Sequence, residues 1–166
     1  MIKKIEDNDV FEAIQLMNKS TKENTYGGYE RNEAMWISFF LNIVKKQKER
    51  DPNYLAIGEY DMPNAIHSGE NGNKKLIGFI LCNTFNSYYN GLCIMDVKDC
   101  IVDSQLSTPY TVIKLYNEMI NHVKTHGGTR WRADSIRATN HTESYAKLLK
   151  LKFDANIYYS AHGKIK

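Results

Sequence analysis

The amino-acid sequence predicts an α+β domain in which a mixed, mostly antiparallel central sheet is flanked by helices. Three observations point there. Apolar residues recur every three to four positions in two early segments and again in two late ones, the mark of amphipathic helices. Between them the period becomes that of strands, three in succession, with an Asn90-Gly91 turn signal separating the last two. A further helical segment then lies between the third of these strands and the next one, which permits a parallel pair with a right-handed crossover. The order read along the chain is β-α-α-β-β-β-α-β-α-β.

Ile2 to Ile5 form the first short strand. From Asp9 to Met17, Val10, Phe11, Ala13, Ile14, Leu16 and Met17 fall at helical spacing, with Asp7 or Asn8 as the cap. A polar segment with Gly27-Gly28 follows, and its tyrosines Tyr26 and Tyr29 suit either contact with a ligand or protein, or local packing. Arg31 to Lys48 is a second, strongly apolar helix. Its basic last turn (Lys45, Lys46, Lys48) complements the negative end of the helix dipole, and Asp51-Pro52-Asn53 breaks it.

Tyr54 to Tyr60 reads as a strand, and Lys75 to Cys82 begins a long second one after a loop rich in Gly, Asn and Pro. The aromatic run Phe85 to Tyr89 leads into the hairpin, as an interface or as packing. Leu92 to Val102 is then the third strand, antiparallel to the second. Pro109 to His126 is an amphipathic helix with Ser107 or Thr108 as cap, Pro109 at the first helical position and Gly127-Gly128 at its end. Trp131 to Ala138 is a strand, Asn140 to Leu151 a helix and Phe153 to Ser160 a final strand.

The 166 residues suit one domain spanning 1–166, with no internal repeat or linker, and a chain of this length buries about two-thirds of its unfolded surface. Hydrophobic residues at 42% and charged residues at 25% are ordinary globular values, which exclude a disordered chain, a collagen and a coiled coil. A net charge of +3 is too small to argue for nucleic acid or anionic lipid as partner. The three cysteines, Cys82, Cys93 and Cys100, all lie in apolar strand segments and make no disulfide framework, so the expected compartment is the cytoplasm. No stretch has the make-up of a signal peptide or the length of a membrane span. His122 and His126 have a legal metal-ligand spacing, but no third ligand is placed and no metal is expected. No Gly-x-Ser-x-Gly elbow or hydrolase triad is present.

The whole element order resembles that of the GNAT (Gcn5-related N-acetyltransferase) superfamily. Locally, Asn140 opens a helix that runs through Tyr145 to Phe153, similar to the family's Asn, aromatic and closing Phe. Lys152 replaces the usual Gly before that Phe, and the family's Tyr position falls on Leu148, one turn after Tyr145. The family's Arg/Gln-x-x-Gly-x-Gly/Ala loop lets backbone N–H groups approach the pyrophosphate of coenzyme A at a helix N-terminus. Here the corresponding run is Ser107-Thr108-Pro109-Tyr110-Thr111-Val112, with Tyr110 and Val112 where glycines belong and no arginine.

The resemblance implies transfer of an acetyl group from acetyl-CoA to an amine on a small molecule or protein. It implies a carboxylate on the third central strand as base, either Asp96 or Asp99. Strict alternation puts these two on opposite faces, so at most one points into a given cleft, and the plain alternative is a salt bridge with Lys98 or a neighbouring strand. Tyr145 is the implied proton donor to the thiolate, or a packed aromatic residue. Asn140 is implied to bond the pantetheine arm, or is a simple cap. The backbone of Ile101, Val102 and Asp103 is implied to pair with pantetheine, and the helix start at Thr108, Tyr110 and Thr111 to face the phosphates. The missing glycines keep a second reading open, a GNAT-like fold that serves as a structural or interaction subunit, with a homodimer or other assembly partner. A third is a small-molecule sensor using the same cleft.

Overall fold

The computed structural model describes residues 1–23, 32–61, 74–86, 93–128, 130–133 and 142–153. In chain order these hold β1 (Ile2–Lys4), α1 (Val10–Glu23), α2 (Glu33–Lys48), β2 (Tyr54–Asp61), β3 (Lys75–Asn86), β4 (Cys93–Val102), α3 (Pro109–Thr125), β5 (Arg130–Ala133) and α4 (Thr142–Phe153). The strands form one sheet in sequence order, β1-β2-β3-β4-β5. The first three pairings are antiparallel and β4–β5 is parallel, with α3 as the crossover. The α+β class with a mixed, mostly antiparallel sheet is thus what the chain adopts.

Helices cover both faces of the sheet. On one face α1 and α2 pack against it, where Phe40 stacks on Phe79 of β3 with centroids 5.6 Å apart and Trp36 meets Phe40 edge-on at 5.2 Å. On the other, Leu115, Tyr116 and Met119 of α3 and Leu149 of α4 cover Ile57, Ile80, Cys82 and Val97. This double cover explains why Leu55 to Tyr60 is buried at every position instead of alternating, and why the central strands read as continuous apolar runs. Gln47 of α2 ties its layer to the sheet, donating to the Ile5 carbonyl at 3.2 Å while its Oε1 accepts from the Ala56 amide at 2.8 Å.

Several boundaries differ from those expected. Instead of a cap at Asp7 or Asn8, a 3₁₀ turn (Asp7–Asp9) precedes α1, and the Glu6 amide donates to the Asp9 carboxylate at 3.0 Å. Helix α2 starts at Glu33, because Asn32 caps it by accepting from the Met35 amide at 3.1 Å. Both α2 and α3 end in the same motif. Arg50 (φ 61°) and Gly127 (φ 76°) take the left-handed conformation just past the helix cap. The amides of Arg50 and Asp51 bond Gln47 and Lys46, and those of Gly127 and Gly128 bond Lys124 and Val123. Phe153 closes α4 and packs beside Tyr116, so it does not open a strand. The rest of that expected strand, the Asn90-Gly91 turn, the Tyr26 and Tyr29 segment, residues 87–89 and residues 134–138 lie outside the described residues.

Candidate functional site

Strand β4 carries an irregularity that decides where its acidic residues point. Leu81 faces Asp99 across the ladder but Cys82 faces Val97, so Lys98 is an extra residue that bulges β4 between them. Met95 and Val97 belong to the α3 layer, which turns Asp96 toward the layer of α1 and α2. Beyond the bulge the phase is inverted. Asp99 also faces that layer, where the Trp36 indole N–H of α2 donates to its Oδ2 at 2.5 Å. The expectation that the two aspartates lie on opposite faces is therefore corrected: the bulge brings Asp96, Lys98 and Asp99 onto one face.

Their surroundings differ. Asp96 is fully buried, and both its oxygens are held by cations, Lys98 from the bulge and Arg132 of β5 at 3.2 and 3.3 Å. The salt bridge offered as the plain reading of this residue is thus present. Asp99 is 5% exposed and is oriented by the indole. Opposite Asp96, the Oδ1 of Asn83 is buried and has no hydrogen-bond donor among the described residues. Sequence reasoning placed Trp36 only within a strongly apolar helix and did not single out Asn83 or Arg132. The available signal was an indole N–H on an apolar helix face, since a buried indole needs an acceptor.

The loop between β4 and α3 has a different logic. The Asp103 carboxylate accepts from the amides of Gln105 at 2.8 Å and Leu106 at 3.1 Å, and from Lys19 of α1 at 3.1 and 3.2 Å. Burial works to raise its pKa, but the donors from Gln105, Lys19 and Leu106 together hold the carboxyl below its usual range. The Ser107 amide bonds the Asp103 carbonyl, and the Thr111 amide bonds the Thr108 carbonyl. The Thr108 amide donates to Thr111 Oγ1 at 3.3 Å, and Pro109 has no amide hydrogen. Tyr110 stands exposed, while Thr111 and Val112 are buried. Gly78 lets the start of α3 approach the sheet, since a Cβ there would sit 2.9 Å from Thr111 and 3.0 Å from Val102.

This arrangement does not fit a coenzyme A diphosphate, which needs several backbone donors aimed outward. Those of residues 105–108 and 111 are committed within the loop, and Tyr110 carries a side chain at the position where a glycine would leave backbone bare. The edge of β4 is more accommodating. Among the described residues β5 pairs with β4 only over Ile94 to Val97. Of Ile101, Val102 and Asp103, the Asp103 amide is taken by the Ile77 carbonyl at 2.8 Å, and ladder alternation aims the backbone of Val102 away from β3. Tyr145 sits in α4, and Asn140 lies outside the described residues.

The histidine pair has a structural occupation. His122 Nε2 lies 2.8 Å from the Pro52 carbonyl, and His126 Nδ1 lies 2.8 Å from the His122 carbonyl. Burial holds the His122 imidazole below its usual range. Cys82 is a buried thiol pushed up by desolvation, a packed residue and not a nucleophile. Among the described residues no group of three or more His, Cys, Asp or Glu could hold a metal ion, and no helix is long and apolar enough to cross a membrane.

No protein-family model matches the sequence, and no curated protein matches it. Solved structures are similar in fold. An aminoglycoside 6′-N-acetyltransferase from Acinetobacter haemolyticus superposes with a TM-score of 0.65 at 14% identity, over 100% of this chain and 99% of that one. Glucosamine-6-phosphate N-acetyltransferase from Arabidopsis thaliana gives a TM-score of 0.62 at 16% identity, over 99% of this chain and 97% of that one. A tetramutant of a Bacillus halodurans protein gives 0.72 at 13% identity, over 100% and 99%. The chain therefore has the GNAT acetyltransferase fold.

Proposed function

We propose that the chain is an N-acyltransferase that moves an acyl group from a thioester to an amine, with Asp99 receiving the amine's proton. The observation that carries this reading is the bulge at Lys98, which turns Asp99 into the helical layer where Trp36 orients it. The GNAT fold supports it, as does the buried Oδ1 of Asn83, which has no donor among the described residues and suits a ligand that brings an N–H. In the reaction the amine nitrogen bonds the acyl carbon, the carbon–sulfur bond breaks, and the amine's proton passes to Asp99. The leaving sulfur takes up a proton, a role assigned to Tyr145 of α4. Asp96, neutralised by Lys98 and Arg132, braces β4 against β5. A positioned base is worth about 10²–10⁴-fold in rate.

The acetyl-CoA donor implied by the resemblance is retained here only as its acyl-thioester end. The test is thiol release with acetyl-CoA or acetyl-pantetheine and a panel of amines suggested by the similar acetyltransferases, an aminoglycoside and glucosamine 6-phosphate among them. Release with at least one pair, lost by about 100-fold or more in Asp99→Asn, is the expected result. No release from any pair at millimolar concentration defeats the reading. The committed loop amides favour a second one, a GNAT-like fold without chemistry that acts as an interaction subunit.

A further inference from the structure

The turn at 103–108 is arranged around an anion that belongs to the chain itself. Two consecutive amides, those of Gln105 and Leu106, converge on one carboxylate oxygen of Asp103, and a lysine ammonium contacts both of its oxygens. Lys19 also reaches Gln105 Oε1 at 3.4 Å, so the counter-ion is held by two residues of the turn. Asp103 is 4% exposed, and Lys19 comes from α1, across the layer. Backbone donors plus a cation around a buried negative group are the components with which proteins bind phosphate. In this chain they are already satisfied. A second, multiply charged anion placed there would meet the Asp103 carboxylate at close range with few donors left over.

We infer that Asp103 is a built-in replacement for the phosphates of an acyl donor, and that the donor is taken by its thioester arm without recognition of a nucleotide diphosphate. The part concerning donors rests on the acyltransferase reading above; the part concerning the loop does not. Coenzyme A, 4′-phosphopantetheine on a carrier and pantetheine itself share the arm, and the experiment separates them.

Inorganic pyrophosphate and 3′,5′-ADP are titrated calorimetrically into the whole protein, into Asp103→Ser and into Lys19→Gln. The wild type and Lys19→Gln show no binding at millimolar ligand. Asp103→Ser, which frees two amides beside Lys19, gains pyrophosphate affinity by tenfold or more. Binding by the wild type below 1 mM (about −4 kcal/mol) overturns the inference, as does a folded Asp103→Ser that gains nothing. Should Asp103→Ser fail to fold, the donor series decides. Acetyl-CoA, acetyl-4′-phosphopantetheine and acetyl-pantetheine then give kcat/KM values within about threefold of one another, while a preference for acetyl-CoA above about thirtyfold (about 2 kcal/mol), with inhibition by 3′,5′-ADP, overturns the inference and leaves the acyltransferase reading intact. No transfer from any donor defeats that reading and the donor part with it, and the pyrophosphate titration still judges the loop.

Discussion

Trp36→Phe, Asp99→Leu and the double variant form a cycle that measures the contact on which the proposed base depends. The indole N–H and the Asp99 carboxylate are 2.5 Å apart, with Trp36 8% and Asp99 5% exposed, so water replaces the bond poorly if either partner is removed. Trp36→Phe keeps a ring against Phe40 and Phe79 but withdraws the donor from a buried charge, a loss of about 1.5–3 kcal/mol for a hydrogen bond to an ionised group. Asp99→Leu leaves the indole N–H without its acceptor, at about 1–3 kcal/mol. The double variant leaves neither group stranded, so the two losses overlap and the coupling energy comes to about 1.5–3 kcal/mol. Urea unfolding of the four proteins reads this directly, and each kcal/mol also moves Tm by about 2–4 °C in a domain of this size. A coupling below about 0.5 kcal/mol, the level at which independent sites simply add, refutes the contact and with it the orientation of Asp99.

Three further outcomes follow from the geometry. Gly78→Ala drives a methyl group to 2.9 Å from Thr111 and 3.0 Å from Val102, and overpacking there destabilises by about 1–3 kcal/mol in the same unfolding assay. Arg50→Gly relieves a left-handed residue costing about 1–2 kcal/mol and returns about 0.5–1 kcal/mol as glycine entropy, for a net gain near 0.5–1 kcal/mol; a loss of stability contradicts the strain. Asp103 has its folded pKa depressed, so its contribution is fully present above the ordinary aspartate value of about 3.9 and is lost as pH falls through the lower folded value. Unfolding midpoints measured from pH 6 to pH 2 fall more steeply for the wild type than for Asp103→Asn in the acid range, and parallel curves reject the assignment.

Most of the element order was legible in the chain because local signals set it. Pro109 after Thr108 starts α3, Gly127 ends it, and the apolar spacing of α2 needs no partner to be seen. The face of Asp99 was not legible. Alternation along one strand is a local rule, whereas the bulge is a property of pairing between β3 and β4 and appears only when Cys82 is found opposite Val97. The loss of loop glycines at Tyr110 and Val112 was visible as letters. What fills their place was hidden, because it depends on Lys19, 84 residues before Asp103. The end of α4 was misplaced because Phe153 is apolar in either setting, and what it packs against, Tyr116 and Trp131, comes from other elements of the chain.

Lys98 also changes how this strand can be compared with others. A relative lacking that one residue would match β4 on one side of it or on the other, never on both without a gap. At identities of 11–16% to the similar structures, such a gap is easily misplaced by one position. The mistake would pair buried aspartates with apolar residues of the opposite layer. Equally, deletion of the Lys98 codon would restore regular alternation with Asp99 still opposite Leu81, and would take from Asp96 one of its two cations while leaving every other letter unchanged.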